Sequence, residues 1–349
     1  MAYNFSATLQ ESFKYGSSAL KTIPDGTRFS IPLLGYPLHF SLAPLVHNFM
    51  FEKKSLPWRY HLLESSDPND LLDIFSSSQS SDEKTIAAAV TMPHKVNFMS
   101  LVDDVMREAR EIGAINTVFT RVDRQTGKNR LLGTNTDYIG IGQAFLTLPS
   151  FIEQHTAGKR RPAMVIGGGG AARSAIYALH HLLGVEEIYI VNRLESEINE
   201  IQTWFATNKP ETSSKVNASG AKLRAILSLG EAKVLPTPFY VVGAVPDFPP
   251  QTDGEKTAHV VVQEFMKRSD PGEQGILLEM CYHPKVRTSL CEFAEKRGWK
   301  VVPGTVAMIW QGIAQHILWT ENEFQDVRTI AQQLGEIVED EIVKRNSTT

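Results

Sequence analysis

Three short stretches in the first 140 residues carry side chains able to transfer a proton and to hold a polar ligand. GYPLHFSLAPLVHN (35–48), VTMPHK (90–95) and GTNTDYIG (133–140) each end a strand pattern in a loop. Lys95 can accept a hydroxyl proton where partial burial favours its neutral form, and Asp137 can orient it. The small polar groups suited to carboxylates and hydroxyls are Ser41, Thr91, Asn116 and Asn135. Taken alone, such a lysine is more often a surface residue and such an aspartate a helix N-cap.

Residues 163–175, AMVIGGGGAARSA, run from an apolar strand pattern through glycines into a helix. Gly167, Gly169 and Gly170 permit a tight turn and a close approach of the backbone to a pyrophosphate, which a helix N-terminus can bind. Ala172 stands at the third glycine position of G-x-G-x-x-G/A, which that pattern allows. The alternative is a strand–turn–helix unit that binds nothing.

The next strand pattern ends in IVNRLESE, at the point where dinucleotide folds meet the adenosine ribose. Arg193 can stack on adenine or pair with a 2′-phosphate, whereas Glu195 can accept hydrogen bonds from ribose hydroxyls and repel that phosphate. Because one arginine flanked by Leu194, Glu195 and Glu197 makes a poor phosphate cage, the sequence favours NAD over NADP. The alternative is that both glutamates are solvated residues at a helix start.

These groups suit the oxidation of a secondary alcohol. That reaction needs a bound nicotinamide to accept hydride, a base for the hydroxyl proton, and donors that fix the substrate. No metal is expected, because the ten histidines are scattered and none has ligand spacing with a carboxylate.

The bulk composition excludes several other classes of protein. A length of 349 residues suggests two domains, and 42% hydrophobic with 21% charged residues is typical of a globular protein. A net charge of −4 gives no field for nucleic acid, and no apolar run is long enough to span a membrane. The start of the chain lacks a secretory pattern, and only two cysteines occur, so we expect a reducing, cytoplasmic location.

Strand and helix patterns alternate along the whole chain, which indicates an α/β fold. Residues 97–113 have helical spacing, and 114–123 with 129–137 resemble a hairpin around QTGK. A second strand–helix–strand rhythm starts at 163, and two amphipathic helices end the chain. The polar stretch 207–222 is expected to be a loop.

Seven motifs together resemble the shikimate/quinate dehydrogenase family. In chain order they are GYPLHFSLAP, AVTMPHK, GAINT, GTNTDYIG, GGGGAAR, EMCYHPKVRT and GTVAMIWQG. They extend over nearly the whole chain, and their order makes a chance match very improbable.

The resemblance implies a two-domain α/β enzyme with the active site in the cleft between the domains. Residues 1–137 plus 305–349 would form the substrate-binding catalytic domain, and 138–304 a Rossmann-type, doubly wound dinucleotide-binding domain. The enzyme would oxidise the C3 hydroxyl of quinate to 3-dehydroquinate, or of shikimate to 3-dehydroshikimate, with NAD as cofactor and NADP possible. The only partner implied is this small-molecule substrate, with no nucleic acid or membrane, in a monomer or homodimer.

The same resemblance assigns roles to individual residues. Lys95 and Asp137 match the catalytic acid–base pair. The substrate contacts would be Ser41, Ala43, Thr91, Asn116, Tyr282 and Gln311. The cofactor contacts would be Gly167, Gly169, Gly170, Ala171, Arg173, Asn192, Arg193, Glu195, Gly304 and Met308.

Several residues depart from the family pattern: Phe40, Ala43, Ala89, Gly243 and Val245. A second serine at position 43 would donate to the substrate carboxylate, and its loss costs roughly 1.5–3 kcal/mol if nothing replaces it. The smaller alanine leaves room beside C1, where quinate carries a tertiary hydroxyl that shikimate lacks. The sequence therefore favours a quinate-type member. The alternatives are a biosynthetic NADP-dependent shikimate dehydrogenase and, in another class, a non-catalytic sensor of the quinate pathway.

Overall fold

Two separate sheets organise the chain. The computed structural model describes residues 3–24, 26–78, 83–148, 161–208, 220–268, 274–282, 285 and 287–347. Its contacts divide the protein into two compact units. The split unit comprises Tyr3–Thr136 and Met308–Thr349, and the middle unit comprises Asp137–Ala307.

The first half of the split unit supplies a mixed sheet of eight strands. Its helices are α1 (Phe5–Ser12), α2 (Ala43–Lys53), α3 (Asn69–Ser77) and α4 (Arg107–Ile112). Its strands are β1 (Ser17–Ser18), β2 (Arg28–Gly35), β3 (Trp58–Glu64), β4 (Glu83–Lys84), β5 (Ala87–Val90), β6 (Asp104–Val105), β7 (Thr117–Val122) and β8 (Asn129–Thr134). The order is β3-β2-β5-β7-β8-β6, with β1 paired to β7 and β4 to β2.

The directions of these strands bring the predicted motifs to one edge of the sheet. Strands β3, β2 and β5 are parallel, so the loops after them leave at the same edge. Strand β7 is antiparallel to β5 and therefore begins at that edge, and β8, antiparallel to β7, ends there. The sheet thus gathers the loops that carry Ser41, Thr91, Lys95, Asn116 and Thr136.

The central strands of this sheet are apolar because they are buried. All four residues of β5, AAAV, are buried, and so are the last five residues of β2. Such continuous apolar runs are typical of strands covered on both faces. Leu34, Val90 and Val118 pack there with Leu71 of α3 and with Phe98.

The middle unit is an all-parallel six-stranded sheet. Its helices are α5 (Asp137–Leu146), α6 (Gly170–His181), α7 (Glu195–Thr207), α8 (Leu229–Val234), α9 (Asp253–Lys267) and α10 (Ser289–Glu295). Its strands are β9 (Ala163–Ile166), β10 (Glu187–Val191), β11 (Lys222–Ala225), β12 (Tyr240–Gly243), β13 (Ile276–Glu279) and β14 (Lys300–Pro303). The order β11-β10-β9-β12-β13-β14 is the 3-2-1-4-5-6 arrangement of dinucleotide-binding folds.

Two long helices end the chain: α11 (Gly304–Thr320) and α12 (Val327–Ser347). The first residues of α11 belong to the middle unit, and the helix continues from Met308 in the split unit, where α12 packs against α2. Within the described residues, no helix has the length and apolarity needed to cross a bilayer.

The predicted hairpin is confirmed by the antiparallel pairing of β7 with β8. The continuous helix predicted for 97–113 is wrong. A 3₁₀ helix (Asn97–Leu101), strand β6 and the short α4 occupy this segment. Backbone pairing with β8 explains the break, because the Asp103 N–H donates to Leu131 O at 2.8 Å. The loop predicted for 207–222 lies largely outside the described residues, and Lys222 begins edge strand β11.

Candidate active site

Thr91 and Lys95 lie in the loop after β5, which is tied closely to β2. The Thr91 N–H donates to Leu34 O at 2.8 Å, and its carbonyl accepts from the His94 N–H at 2.9 Å. A Cβ atom on Gly35 would collide with the Thr91 methyl group, so glycine lets the two loops meet. Thr91 is half-buried. The close approach leaves this loop little freedom to move.

A buried histidine fixes the same loop from the other side. His94 Nε2 lies 2.9 Å from Ser65 O, and because a carbonyl only accepts, this nitrogen is the donor. Lys95 follows and is half-buried, and its carbonyl accepts from the Ile115 N–H at 2.8 Å. The backbone of the predicted base is therefore anchored to the segment that leads into β7.

Ser41 and Ala43 lie where the loop after β2 enters α2. Ser41 Oγ accepts from the Ala43 N–H at 3.3 Å. Ala43 is the first residue of α2 and is buried. Phe40 is exposed, and its carbonyl accepts from Arg345 of α12 at 3.2 Å. Ala89 lies inside β5, where its backbone pairs with Leu33 and Thr117.

Asn116 and Gln311, 195 positions apart, meet through their side-chain amides. Asn116 Nδ2 donates to Gln311 Oε1 at 3.0 Å. Asn116 Oδ1 accepts from the Thr136 N–H and from Thr117 Oγ1, each at 2.7 Å. Asn116 is 3% exposed and Gln311 is half-buried. The structure thus brings together two residues that the sequence assigned to the substrate. Asn135 instead donates to Ala114 O at 2.9 Å.

The remaining predicted chemical residues lie in the middle unit or at its boundary. Asp137 is buried and is the first residue of α5. Tyr282 is half-buried and follows β13, and Gly304 begins α11. Met308 is buried on α11 in the split unit. The acid–base pairing of Lys95 with Asp137 stays a prediction.

The glycine turn after β9 has the geometry expected of a phosphate-binding turn. Gly167 has φ +128°, and a Cβ there would lie 2.9 Å from Ala244 O, so only glycine fits. At Gly169 an added Cβ would meet no atom within 4 Å, which leaves open space in front of α6. Its N-cap residue, Gly169, has no side chain to cap the helix, and Gly170 and half-buried Ala171 form its first turn. Its N–H groups therefore fit a dinucleotide pyrophosphate.

Arg173 lies on α6 and is 6% exposed. Its guanidinium carbon is 5.6 Å from the centre of the Trp204 ring. Burial lowers the pKa of Arg173, and the nearby charge of Glu200 opposes that shift. Among the described residues, its Nε and Nη1 atoms have no hydrogen-bond partner. These unsatisfied donors are compatible with an anion bound near the turn.

The segment after β10 presents two carboxylates and one arginine. Asn192 Nδ2 donates to Glu197 Oε2 at 2.5 Å, and a Cβ on Gly168 would collide with that carboxylate. Glu197, which the sequence treated as a flanking acid, therefore lies against the glycine turn. Glu195, the residue predicted for the ribose, is exposed at the start of α7.

Arg193 forms an ion pair with Glu255, with Nη1 2.8 Å from Oε1. Glu255 belongs to a capping box with Thr252 at the start of α9. The Thr252 backbone N–H, with Arg193 adding to it, lowers the pKa of Glu255 to about 2. The arginine that could bind a 2′-phosphate is thus already paired with an acid.

Glu279 ends β13 and explains one of the family departures. It is 2% exposed, and burial raises its pKa to about 8, opposed by the hydrogen bond from the Cys281 N–H to Oε1 at 3.0 Å. A Cβ on Gly243, in the neighbouring strand β12, would lie 2.6 Å from Glu279 Oε2. The carboxyl occupies the space that a side chain at position 243 would need.

Strand order, glycine turn and uncapped helix N-terminus define a Rossmann-type dinucleotide-binding unit, and the loops of the mixed sheet supply a lysine and polar groups of the kind a dehydrogenase needs. Among the described residues, no three His, Cys, Asp or Glu side chains are placed to hold a metal ion. A dinucleotide-binding unit and such a set of polar groups in one chain are typical of a two-sheet α/β dehydrogenase, the class that the sequence predicts.

Comparison with known proteins identifies the family. Residues 33–118 match the shikimate dehydrogenase substrate binding domain. The chain is 36% identical over 336 residues to the quinate dehydrogenase of Emericella nidulans, covering 94% of this chain and 98% of that protein. The chain belongs to the shikimate/quinate dehydrogenase family of NAD(P)-dependent oxidoreductases, and the resemblance found in the sequence is confirmed.

Solved structures agree with this fold. Dehydroquinate dehydratase and shikimate dehydrogenase from S. pombe match with a TM-score of 0.62 and 26% identity, over 94% of this chain and 55% of that one. Shikimate 5-dehydrogenase from Thermus thermophilus, in complex with NADP(H) and shikimate, matches with a TM-score of 0.61 and 25% identity, over 89% of this chain and 99% of that one. The predicted two-domain α/β fold class is confirmed.

Proposed function

We propose that this protein oxidises the C3 hydroxyl of quinate to 3-dehydroquinate, with shikimate as a second substrate and NAD as the preferred cofactor. The observation that carries the proposal is the single sheet edge that gathers the loops of Ser41, Thr91, Lys95 and Asn116, with Gln311 bonded to Asn116. The 36% identity to a quinate dehydrogenase over nearly all of both chains supports the choice of substrate.

The proposed chemistry is one proton transfer coupled to one hydride transfer. Lys95 takes the hydroxyl proton, and Asp137 holds the reacting hydroxyl and orients Lys95. A bound nicotinamide supplies the hydride acceptor. Ser41, Thr91, Asn116 and Gln311 fix the ring, and Tyr282 contacts the substrate carboxylate.

The preference for quinate rests on Ala43. Because this residue is buried at the start of α2, a serine there would add a hydroxyl beside Ser41. Alanine leaves that volume to the substrate. The tertiary C1 hydroxyl of quinate can use the space, whereas shikimate has no group to fill it.

The preference for NAD rests on the charges around the adenosine side. Asn192 holds the Glu197 carboxylate against the glycine turn, where it can accept from ribose hydroxyls. A 2′-phosphate would meet this negative charge, and it would have to compete with Glu255 for Arg193. Both effects favour the cofactor without the phosphate.

We also propose that the enzyme acts in the cytoplasm as a monomer or homodimer. The low cysteine count, two in 349 residues, supports a reducing compartment. The small-molecule substrate is the only partner that it requires.

Initial rates with quinate and shikimate, each with NAD and with NADP, test the proposal. Quinate with NAD should be the fastest pair. Lys95→Met should lower kcat by about 10²–10⁴-fold, the range for removal of a general base. Fast shikimate turnover with NADP alone would replace the proposal by the biosynthetic activity. No turnover with any pair would leave a ligand-binding sensor as the better conclusion.

A further inference from the structure

A continuous line of buried hydrogen bonds runs from α2 to Gln311. His47 Nε2 lies 3.1 Å from Gln315 Oε1, and Gln315 Nε2 donates to Thr117 Oγ1 at 3.0 Å. Thr117 Oγ1 donates to Asn116 Oδ1 at 2.7 Å, and Asn116 Nδ2 donates to Gln311 Oε1 at 3.0 Å. We call these five residues the amide chain.

Two backbone contacts fix the direction of the amide chain. Gln315 Nε2 also lies 3.1 Å from Asn116 O, and a carbonyl only accepts, so the nitrogen of this amide must face β7. Its oxygen then faces His47, and His47 must carry its proton on Nε2. At the other end, the Thr136 N–H at 2.7 Å requires the oxygen of Asn116. The Asn116 nitrogen is left for Gln311.

Every donor in the amide chain therefore points from His47 towards Gln311. Reversing the Gln311 amide would set its nitrogen against Asn116 Nδ2, and two donors would face each other. His47 and Thr117 are fully buried, and Gln315 and Asn116 are 2% and 3% exposed. In such a dry setting, an unpaired polar group is costly, so the reversed arrangement is disfavoured.

The first member of the chain stays uncharged. Burial lowers the pKa of His47 to about 3, opposed by its hydrogen bond to Gln315. The ring is held by stacking on Tyr60, with centroids 4.3 Å apart, and by Trp319 at 5.0 Å. Because the ring is neutral and fixed, its Nε2–H remains the donor at the start of the amide chain.

We propose that His47 and Gln315 are positioning residues that act through Thr117 to hold the Asn116 and Gln311 amides, whose direction the backbone contacts fix, in place for the substrate. This inference rests on the proposed function for the role of Gln311. Because Gln311 Oε1 is committed to Asn116, and one Nε2 hydrogen to Met308 O at 3.2 Å, the second N–H is the group left for the substrate. The position next to Gln311 then selects a hydrogen-bond acceptor, such as a hydroxyl or carboxylate oxygen.

His316 offers a matched control, because it follows Gln315 on α11 and is fully buried as well. Burial also lowers its pKa to about 3. Its ring stacks on Phe324, with centroids 4.9 Å apart, and contacts Phe51. Within the described part of the chain, neither of its ring nitrogens has a hydrogen-bond partner. It matches His47 in burial and titration but lies outside the amide chain.

The test compares His47→Phe with His316→Phe in the full-length protein. His47→Phe should raise KM for quinate about tenfold, as for one lost hydrogen bond, and leave KM for the cofactor unchanged. His316→Phe should change neither constant. His47→Gln, which restores a donor, should recover KM, and Gln315→Met should reproduce the defect if His47→Phe folds poorly. Equal effects of the two phenylalanine variants would overturn the inference.

A second readout does not depend on turnover. Nitrogen NMR of the protein without substrate should show His47 protonated on Nε2 and should show the side-chain amide signals of Asn116 and Gln311 shifting in His47→Phe only. Unshifted amides, or a His47 proton on Nδ1, would refute the amide chain. If the wild-type protein oxidises neither acid, the proposed function fails, and these spectra still decide the chain.

Discussion

The split unit and the middle unit prepare their binding residues in opposite ways. In the split unit, Asn116 and Gln311 are held by buried, uncharged hydrogen bonds whose direction is fixed. In the middle unit, the glycine turn offers open backbone, and its surroundings carry charges at the surface, such as the pair of Arg193 with Glu255. Buried hydrogen bonds hold one geometry, whereas exposed charges are screened and adjust easily.

This difference fits the two molecules that we propose are bound. Cyclic polyols differ in the placement of single hydroxyls, and fixed directional groups distinguish such placements. A dinucleotide is recognised chiefly through its pyrophosphate, which a helix N-terminus binds without side-chain detail. Substitutions in the split unit should therefore cause large losses of activity towards the substrate. Substitutions around the glycine turn should cause smaller changes in cofactor preference.

The largest effect is expected from Asn116→Asp, which keeps the shape but removes the N–H donor to Gln311. It places a carboxylate in a dry site, so kcat/KM for quinate should fall about 100-fold or more. Cofactor affinity, followed by NADH fluorescence, should not change. Asn129→Asp, at an exposed position of the same hairpin, is the control. A loss of less than threefold in kcat/KM would contradict the claim that buried hydrogen bonds hold the binding residues of the split unit in one geometry.

Gly243→Ala should show that the middle unit also has one rigid point. The new Cβ would overlap the buried carboxyl of Glu279, so the free energy of unfolding should fall by about 1–3 kcal/mol. The double variant Gly243→Ala/Glu279→Asp should regain part of this loss, because the shorter acid vacates the space. Urea unfolding measures both. Purely additive losses would mean that the two side chains do not compete.

Ala43→Ser should change substrate choice without changing the cofactor. The added hydroxyl restores a donor for the substrate carboxylate and fills the space beside C1, so the ratio of kcat/KM for shikimate to that for quinate should rise about tenfold. Rates with both acids at saturating NAD give the ratio. An unchanged ratio would remove Ala43 from the argument for quinate.

Glu197→Gln and Glu255→Gln should show how far the charges around the glycine turn determine the preference for NAD over NADP. The first removes the negative charge at the turn, and the second releases Arg193, so each should improve kcat/KM for NADP about two- to fivefold relative to NAD. The gain should shrink as salt is added. Glu292→Gln, an exposed change on α10, is the control. A preference for NADP in the wild-type protein would show that these two acids do not exclude the 2′-phosphate, and it would contradict the prediction.

Glu279 should also make the free energy of unfolding depend on pH. Its pKa is raised to about 8 in the folded protein from an ordinary 4.5, so the folded state holds a proton that the unfolded chain releases between these values. Stability should therefore fall as pH rises from about 4.5 to about 8, by less than about 1.4 kcal/mol per pH unit. Glu279→Gln should flatten the slope in urea unfolding at several pH values, and an unaltered slope would assign it elsewhere.

Local patterns were enough to predict the hairpin, the glycine turn and the family. These features are written in contiguous residues, such as GGGGAAR and GTNTDYIG. The break in the helix predicted for 97–113 was missed because strand β6 forms only through pairing with β8, and spacing alone does not show that pairing.

The missed site residues depend on contacts between distant segments. His47 and Gln315 are 268 positions apart, and each looks like an ordinary helical residue in the sequence. The sequence analysis uses Glu197 only as an acid flanking Arg193, with a solvated residue as the alternative, because only the fold shows that its side chain reaches Gly168. His47 does lie in the stretch 35–48 that the sequence analysis selects for its polar side chains, and that is the one available signal of its importance.

The close approach of Glu279 to Gly243 also constrains the order in which this sequence can change over evolution. A side chain at position 243 costs less stability once the acid at 279 has shortened, so a change at 279 is expected to come before a change at 243. A scan of single substitutions should therefore find that every side chain at Gly243 lowers stability. The sensitivity of position 243 comes from the length of the Glu279 side chain, and a lineage in which that acid is shortened first can then accept a polar residue at position 243.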